Sequence, residues 1–133
     1  MKLVISNKEG KAKQVEIELV QERKLYGSKI GEEISGDSIG FEGYTFSVRG
    51  GSDSSGFPMR RDVQGQERKR ILTTSSLGNH LKRKGMRTRK SVRGNTVSDS
   101  IAQLNLFVVK EGSTPLFEEP KEEAPAEEAP KEE

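Results

Sequence analysis

Cysteine and tryptophan are absent from this 133-residue chain, and histidine occurs once. Without cysteine there is no disulfide framework, no thiolate zinc site and no Cys nucleophile. No apolar run approaches the roughly eighteen residues that mark a membrane-spanning helix. The opening Met1-Lys2-Leu3-Val4-Ile5-Ser6-Asn7 turns polar too soon for a secretory signal, so an intracellular soluble protein is expected. Hydrophobic residues supply only 30% of the chain against 33% charged, with a mean hydropathy of −0.78. A core is possible but thin, and the length suits one small domain.

What is present reads as β structure. Leu3 and Ile5 alternate with Lys2 and Ser6 around Val4, and Val15, Ile17 and Leu19 alternate with Glu16 and Glu18. Such a period of two puts one set of side chains in a core and the other in water. Asn7-Lys8-Glu9-Gly10 supplies the loop chemistry of a hairpin between these runs. Tyr44, Phe46 and Val48 form a third alternating set. Leu104-Asn105-Leu106-Phe107-Val108-Val109 becomes apolar on both faces, as a central or barrel-closing strand would. No window sustains a helical apolar stripe; turns are the most that Lys24-Leu25-Tyr26-Gly27 and Ser98-Asp99-Ser100 suggest. Nine of the fourteen glycines fall between Gly27 and Gly65. Short strands broken by glycine suit the tight corners of a small barrel, whose closure removes exposed sheet edges. The expected fold class is therefore mainly β: a small β-barrel with little helix, a mobile basic loop segment and a disordered acidic C-terminal tail.

The net charge of +2 hides an asymmetry. Residues 118–133 carry eight Glu and two Lys, a net −6, in a repeating acidic-Ala-Pro pattern. Proline blocks helix propagation there and like charges repel, so this tail is expected to be disordered. It serves either to solubilise or to shield the basic segment until a partner arrives. Residues 60–93 carry a net +10: Arg60, Arg61, Arg68, Lys69, Arg70, Lys82, Arg83, Lys84, Arg87, Arg89, Lys90 and Arg93 against Asp62 and Glu67. The domain reading is a β-barrel domain over 1–117 with the basic segment inside it, then the tail. Each Lys or Arg that neutralises a phosphate releases condensed counterions, so this density points to nucleic acid. Arginine outnumbers lysine eight to four there, which suits folded RNA, because the planar fork holds two phosphate oxygens or stacks on a base. Aromatic residues are absent from 58–106, which argues against a base-stacking platform. Arg89, Ser91 and Arg93 would share one strand face, which makes Arg87, Arg89, Lys90 and Arg93 the leading contact candidates. Lys82, Arg83 and Lys84 follow on a loop, and residues 78–90 are expected to show low order in the free protein.

Catalysis finds little support. His80 has cations for neighbours rather than an orienting carboxylate, and Asp37, Asp53, Asp62 and Asp99 are scattered. Phosphate-loop, dinucleotide and HExxH motifs are all missing. The sharpest local motif is Val48-Arg49-Gly50-Gly51-Ser52-Asp53-Ser54-Ser55-Gly56-Phe57-Pro58-Met59. Gly50, Gly51 and Gly56 suit positive φ or close packing in a Gly-Gly corner, and Asp53 can cap the loop's own N–H groups. Pro58 closes the loop, Phe57 and Met59 return to the core, and Arg60 and Arg61 are aimed outward. An anion nest of loop N–H groups is the functional alternative, opposed by the charge of Asp53.

This Val48–Met59 stretch resembles the signature of the ribosomal small-subunit protein six family of archaea and eukaryotes. Lys90-Ser91-Val92-Arg93-Gly94, the run from Leu104 to Gly112 and the opening Lys2–Asn7 are similar too, and the likeness is colinear over about 1–112. The resemblance implies a β-barrel body bound to small-subunit ribosomal RNA, with neighbouring ribosomal proteins as further partners. It implies a structural role in a cytoplasmic ribosome, with no enzymatic activity, cofactor, metal, membrane partner or small-molecule substrate. Eukaryotic members continue into a long basic C-terminal helix with regulatory serine phosphorylation. This chain has a short acidic tail instead, so that regulation is not carried over and the short form looks archaeal. Two rivals stand beside this reading: a free RNA-binding or RNA-chaperone barrel that visits ribosomes or tRNA, and an RNA-processing enzyme using Asp53 and His80.

Overall fold

A computed structural model describes residues 1–76, 79–112 and 116–117. In chain order the elements are β1 (Lys2–Ser6), β2 (Ala12–Glu16), α1 (Leu19–Leu25), β3 (Glu33–Ser35), a 3-10 turn (Gly36–Ile39), β4 (Thr45–Asp53), β5 (Arg68–Thr73), β6 (Thr88–Arg93) and β7 (Ile101–Lys110). The hairpin between β1 and β2 turns on Asn7, whose Oδ1 accepts from the N–H groups of Glu9 (3.1 Å) and Lys11 (3.0 Å). Such an Asx turn lets a short polar side chain replace the missing backbone acceptor.

Five strands form one sheet in the order β2-β1-β7-β4-β3, and β5 and β6 form a separate two-stranded sheet. Pairing is antiparallel throughout, except that β1 runs parallel to β7. β7 is central, as expected, but only its alternate residues are buried: Phe107 is half-buried and Val109 is 37% exposed. Ile101, Leu104, Leu106 and Val108 are buried along it, facing Leu3 and Ile5 of β1, Phe46 and Val48 of β4 and Tyr44 just before β4. Tyr44 and Phe46 stack with centroids 5.7 Å apart, and Phe41 meets Phe46 edge-on at 5.8 Å.

The chain is mainly β, as expected, but the barrel is a loose one. The outer strands β2 and β3 do not pair with each other, and β5–β6 stands outside the main ladder. Packing covers the open side: Leu25 from α1 and Ile39 from the 3-10 turn enter the same core. α1 corrects the expected strand through Leu19, because β2 stops at Glu16 and Leu19 opens a helix in which it is 72% exposed. This helix is set by its ends rather than by a stripe. The N–H of Glu18 donates to Gln21 Oε1 (3.3 Å), Leu25 is its single buried apolar anchor, and buried Glu22 pairs with the terminal amine of Met1. Residues 98–100 form a turn, with Ile101 N–H donating to the Ser98 carbonyl (3.2 Å). The tail 118–133 lies outside the described residues.

Candidate nucleic-acid interface

The Gly-rich motif does not leave its strand at a Gly-Gly corner. β4 continues through Gly50 and Gly51 to Asp53, and the register against β7 shifts between Val48 and Gly50, leaving Arg49 as the extra residue. At Gly51 an added Cβ would stand 2.4 Å from the Gln103 carbonyl oxygen, so only glycine lets β4 approach β7 this closely. The reversal follows at Ser54-Ser55-Gly56, where Gly56 takes φ 81° and its N–H donates to the Asp53 carbonyl (2.8 Å). Pro58 then accepts from Arg93 N–H (2.9 Å), and Met59, buried in the main core, donates its N–H to Gly51 O (2.9 Å).

The Asp53 carboxylate does not cap the loop. It is fully buried and receives Arg68 Nη2 (2.6 Å), Arg68 Nε (3.2 Å) and Arg93 Nη1 (3.1 Å) on one oxygen, and Ser54 Oγ (2.9 Å) on the other. Burial works to raise its pKa, but the hydrogen bonds from Arg68 and Ser54 and the charges of Arg68 and Arg93 outweigh it and lower it to about 2. The Arg68 guanidinium also lies over the Phe57 ring at 4.6 Å, and Arg93 Nη2 donates to Ser98 Oγ (3.1 Å). Asp53 therefore latches the base of the β5–β6 hairpin to the main sheet.

The far end of the hairpin is tied by Asn79. Its buried Nδ2 donates to Thr73 Oγ1 (2.8 Å) and Thr74 O (3.0 Å), while its Oδ1 accepts from Thr88 Oγ1 (3.2 Å). These contacts join the last residue of β5 to the first of β6 across the intervening loop. From His80 to Arg87 the chain carries no strand or helix, and His80 is exposed with no ion pair among the described residues. Leu77 and Gly78 lie outside the described residues.

Among the described residues, three of the twelve cations are matched by a carboxylate. Arg60 pairs with Asp62 (2.6 Å) and donates to Ser76 Oγ (3.0 Å), so its side chain is held in and not aimed outward; Arg68 and Arg93 are held by Asp53. The Arg60 hydrogen bond lowers the pKa of Asp62. Arg61, Lys69, Arg70, Lys82, Arg83, Lys84, Arg87, Arg89 and Lys90 are exposed and form no ion pair among the described residues. The hairpin register divides the strand-borne cations between two faces. Arg68, Arg70 and Leu72 of β5 stand opposite Arg93, Ser91 and Arg89 of β6, and directly opposed residues project from the same face. The other face carries Lys69 and Lys90, with Val92 and Thr73 buried.

From sequence, Asp53 is singled out but given the loop's N–H groups as partners, and charge counting over residues 60–93 passes over Arg49. Arg49, which precedes the basic segment, lies over the Phe107 ring at 4.8 Å and lines a groove of about 280 Å³ with Arg60, Arg61 and Asp62. Asp53 is the pivot of the hairpin. Its signal was the isolation of one carboxylate in the uncharged stretch between Arg49 and Arg60.

A folded β scaffold that holds a cationic hairpin by its base is the class of protein these features define. A family model described as ribosomal protein S6e matches residues 1–119. A small ribosomal subunit protein eS6 of Methanococcus maripaludis is 47% identical over 121 residues, covering 90% of this chain and 95% of the relative. The protein of that name from Methanothermobacter thermautotrophicus is 45% identical over 117 residues (88% and 92%), and that of Methanocaldococcus jannaschii 46% over 110 (83% and 82%). The chain belongs to the ribosomal protein S6e family, and these relatives are archaeal.

Proposed function

We infer that this protein is a structural constituent of the small ribosomal subunit that binds ribosomal RNA through the β5–β6 hairpin and the loop between its strands. The names of the relatives support the assembly. The observation that carries the RNA contact is the set of nine exposed cations on one hairpin, its loop and Arg61 that form no ion pair among the described residues. Their mutual repulsion is relieved when phosphates replace water around them, with release of counterions from the RNA. The contact set is narrower than composition suggests. Arg70 and Arg89 on one hairpin face, with Arg87, Arg61 and Lys82–Lys84, are the leading RNA contacts, Lys69 and Lys90 offer phosphate contacts from the other face, and Arg60, Arg68 and Arg93 position the surface.

The role is structural rather than catalytic. A carboxyl held at about 2 by two guanidinium groups cannot take a proton near neutral pH, so Asp53 is unfit to serve as the base of an RNA-processing enzyme. Neighbouring ribosomal proteins are the further partners, and the protein resides with the ribosome in the cytoplasm. No helix among the described residues is long and apolar enough to cross a membrane.

Sedimentation of small subunits through a high-salt wash tests the assignment. An integral constituent stays with the subunit. Release into the supernatant while the subunit remains intact favours a free RNA-binding barrel and rejects the structural role.

A further inference from the structure

Leu72 is the anomaly on the arginine face. It is 57% exposed in a chain with little apolar residue to spare, at the end of the hairpin remote from the Asp53 latch. The register sets it directly opposite Arg89, with Arg70 two residues back on its own strand and Ser91 diagonal to it. Opposed Cβ atoms stand about 5 Å apart, and i,i+2 neighbours on a strand about 7 Å apart. Leu72 thus has one guanidinium residue beside it along its strand and another across the ladder, neither forming an ion pair among the described residues.

A polyanion is the occupant that this arrangement fits. A protein partner rich enough in carboxylates to satisfy the arginines would leave the leucine against polar groups. RNA offers both chemistries at this spacing: phosphates along the strand, with ribose and base surface between them, in the wide and shallow minor groove or in unpaired loops. We propose that Leu72 packs on ribose-and-base surface of the RNA while Arg70, along the strand, and Arg89, across it, hold neighbouring phosphates. This rests on the reading of the hairpin as the rRNA contact and adds what charge cannot supply, an apolar contact that fixes where along the RNA the arginines settle. Proteins that enter the minor groove of nucleic acids use apolar side chains beside cations in the same way.

The two kinds of contact separate by salt. Binding of the full-length protein to purified small-subunit rRNA is measured over a series of KCl concentrations for wild type, Leu72→Ala, Leu72→Lys and Arg89→Ala. From the area of Leu72 left to cover, Leu72→Ala weakens binding by about tenfold at every salt concentration without changing the salt slope. Arg89→Ala lowers the slope by just under one unit. Leu72→Lys, which adds a cation, nevertheless binds more weakly than wild type at high salt. Because Leu72 is exposed, both of its variants keep the wild-type melting temperature. Wild-type affinity for Leu72→Ala, or tighter binding at all salt concentrations for Leu72→Lys, overturns the proposal while leaving the hairpin reading intact. Absence of salt-dependent binding by the wild type overturns both.

Discussion

Replacing Asp53 by asparagine removes the one charge that two arginines share at the base of the hairpin. A carboxyl lowered from 3.8 to about 2 contributes roughly 2–3 kcal/mol of folding stability at neutral pH, at 1.36 kcal/mol per unit. The loss on breaking a buried pair runs to roughly 3–5 kcal/mol. Arg68 is 40% exposed on its side chain and can rehydrate, which favours the lower figure, while Arg93, at 12%, cannot and keeps the loss from falling much below it. In a domain of this size it corresponds to a drop of roughly 10 °C in Tm. The sign with pH follows from the depressed pKa. The contribution is fully present above the unfolded value near 3.8 and disappears as pH falls through about 2. Urea unfolding of wild type and Asp53→Asn, followed from pH 7 to pH 2, should show a gap of roughly 2–3 kcal/mol that closes over that window. A gap below about 0.5 kcal/mol at pH 7, or one of equal size at pH 7 and pH 2, would refute the latch.

Two further outcomes follow from the same geometry. Arg87→Ala and Arg89→Ala together should flatten the salt dependence of rRNA binding by just under two units, with thermal stability unchanged; Arg93→Ala should do the reverse, costing stability at nearly constant slope. Asn79→Ala strands the Thr73 and Thr88 hydroxyls and should cost about 1–3 kcal/mol in urea denaturation, with hydrogen exchange accelerating first at the Thr73–Thr88 end.

The strands that carry the core were legible because burial leaves a period of two in the residues themselves. Leu3 and Ile5, Tyr44 to Val48 and Leu104 to Val109 all lie where that pattern puts them. α1 was not legible, since Leu19 and Val20 face solvent and its single apolar anchor cannot make a period. β5 was hidden for the opposite reason: Arg68-Lys69-Arg70 shows water on both faces, and its pairing with β6 is decided by backbone hydrogen bonds and Asn79 rather than by burial. At the interface, composition located the cations but not their commitments. That Arg68 and Arg93 answer to Asp53, across 15 and 40 residues, depends on how β4 and the hairpin meet in space. Arg60 looked outward only until Ser76 and Asp62 were seen beside it.

The placement of β7 between β1 and β4 bears on how the molecule is made. Lys2–Ser6 has β2 for a neighbour early, but its parallel neighbour, and the neighbour of most of β4, is the last strand to be synthesised. A nascent chain has therefore extruded its whole run of arginines and lysines before the strand that closes its core leaves the exit tunnel. For that interval the cations are carried by an unfinished scaffold, and any polyanion that met them then would compete with completion of the sheet.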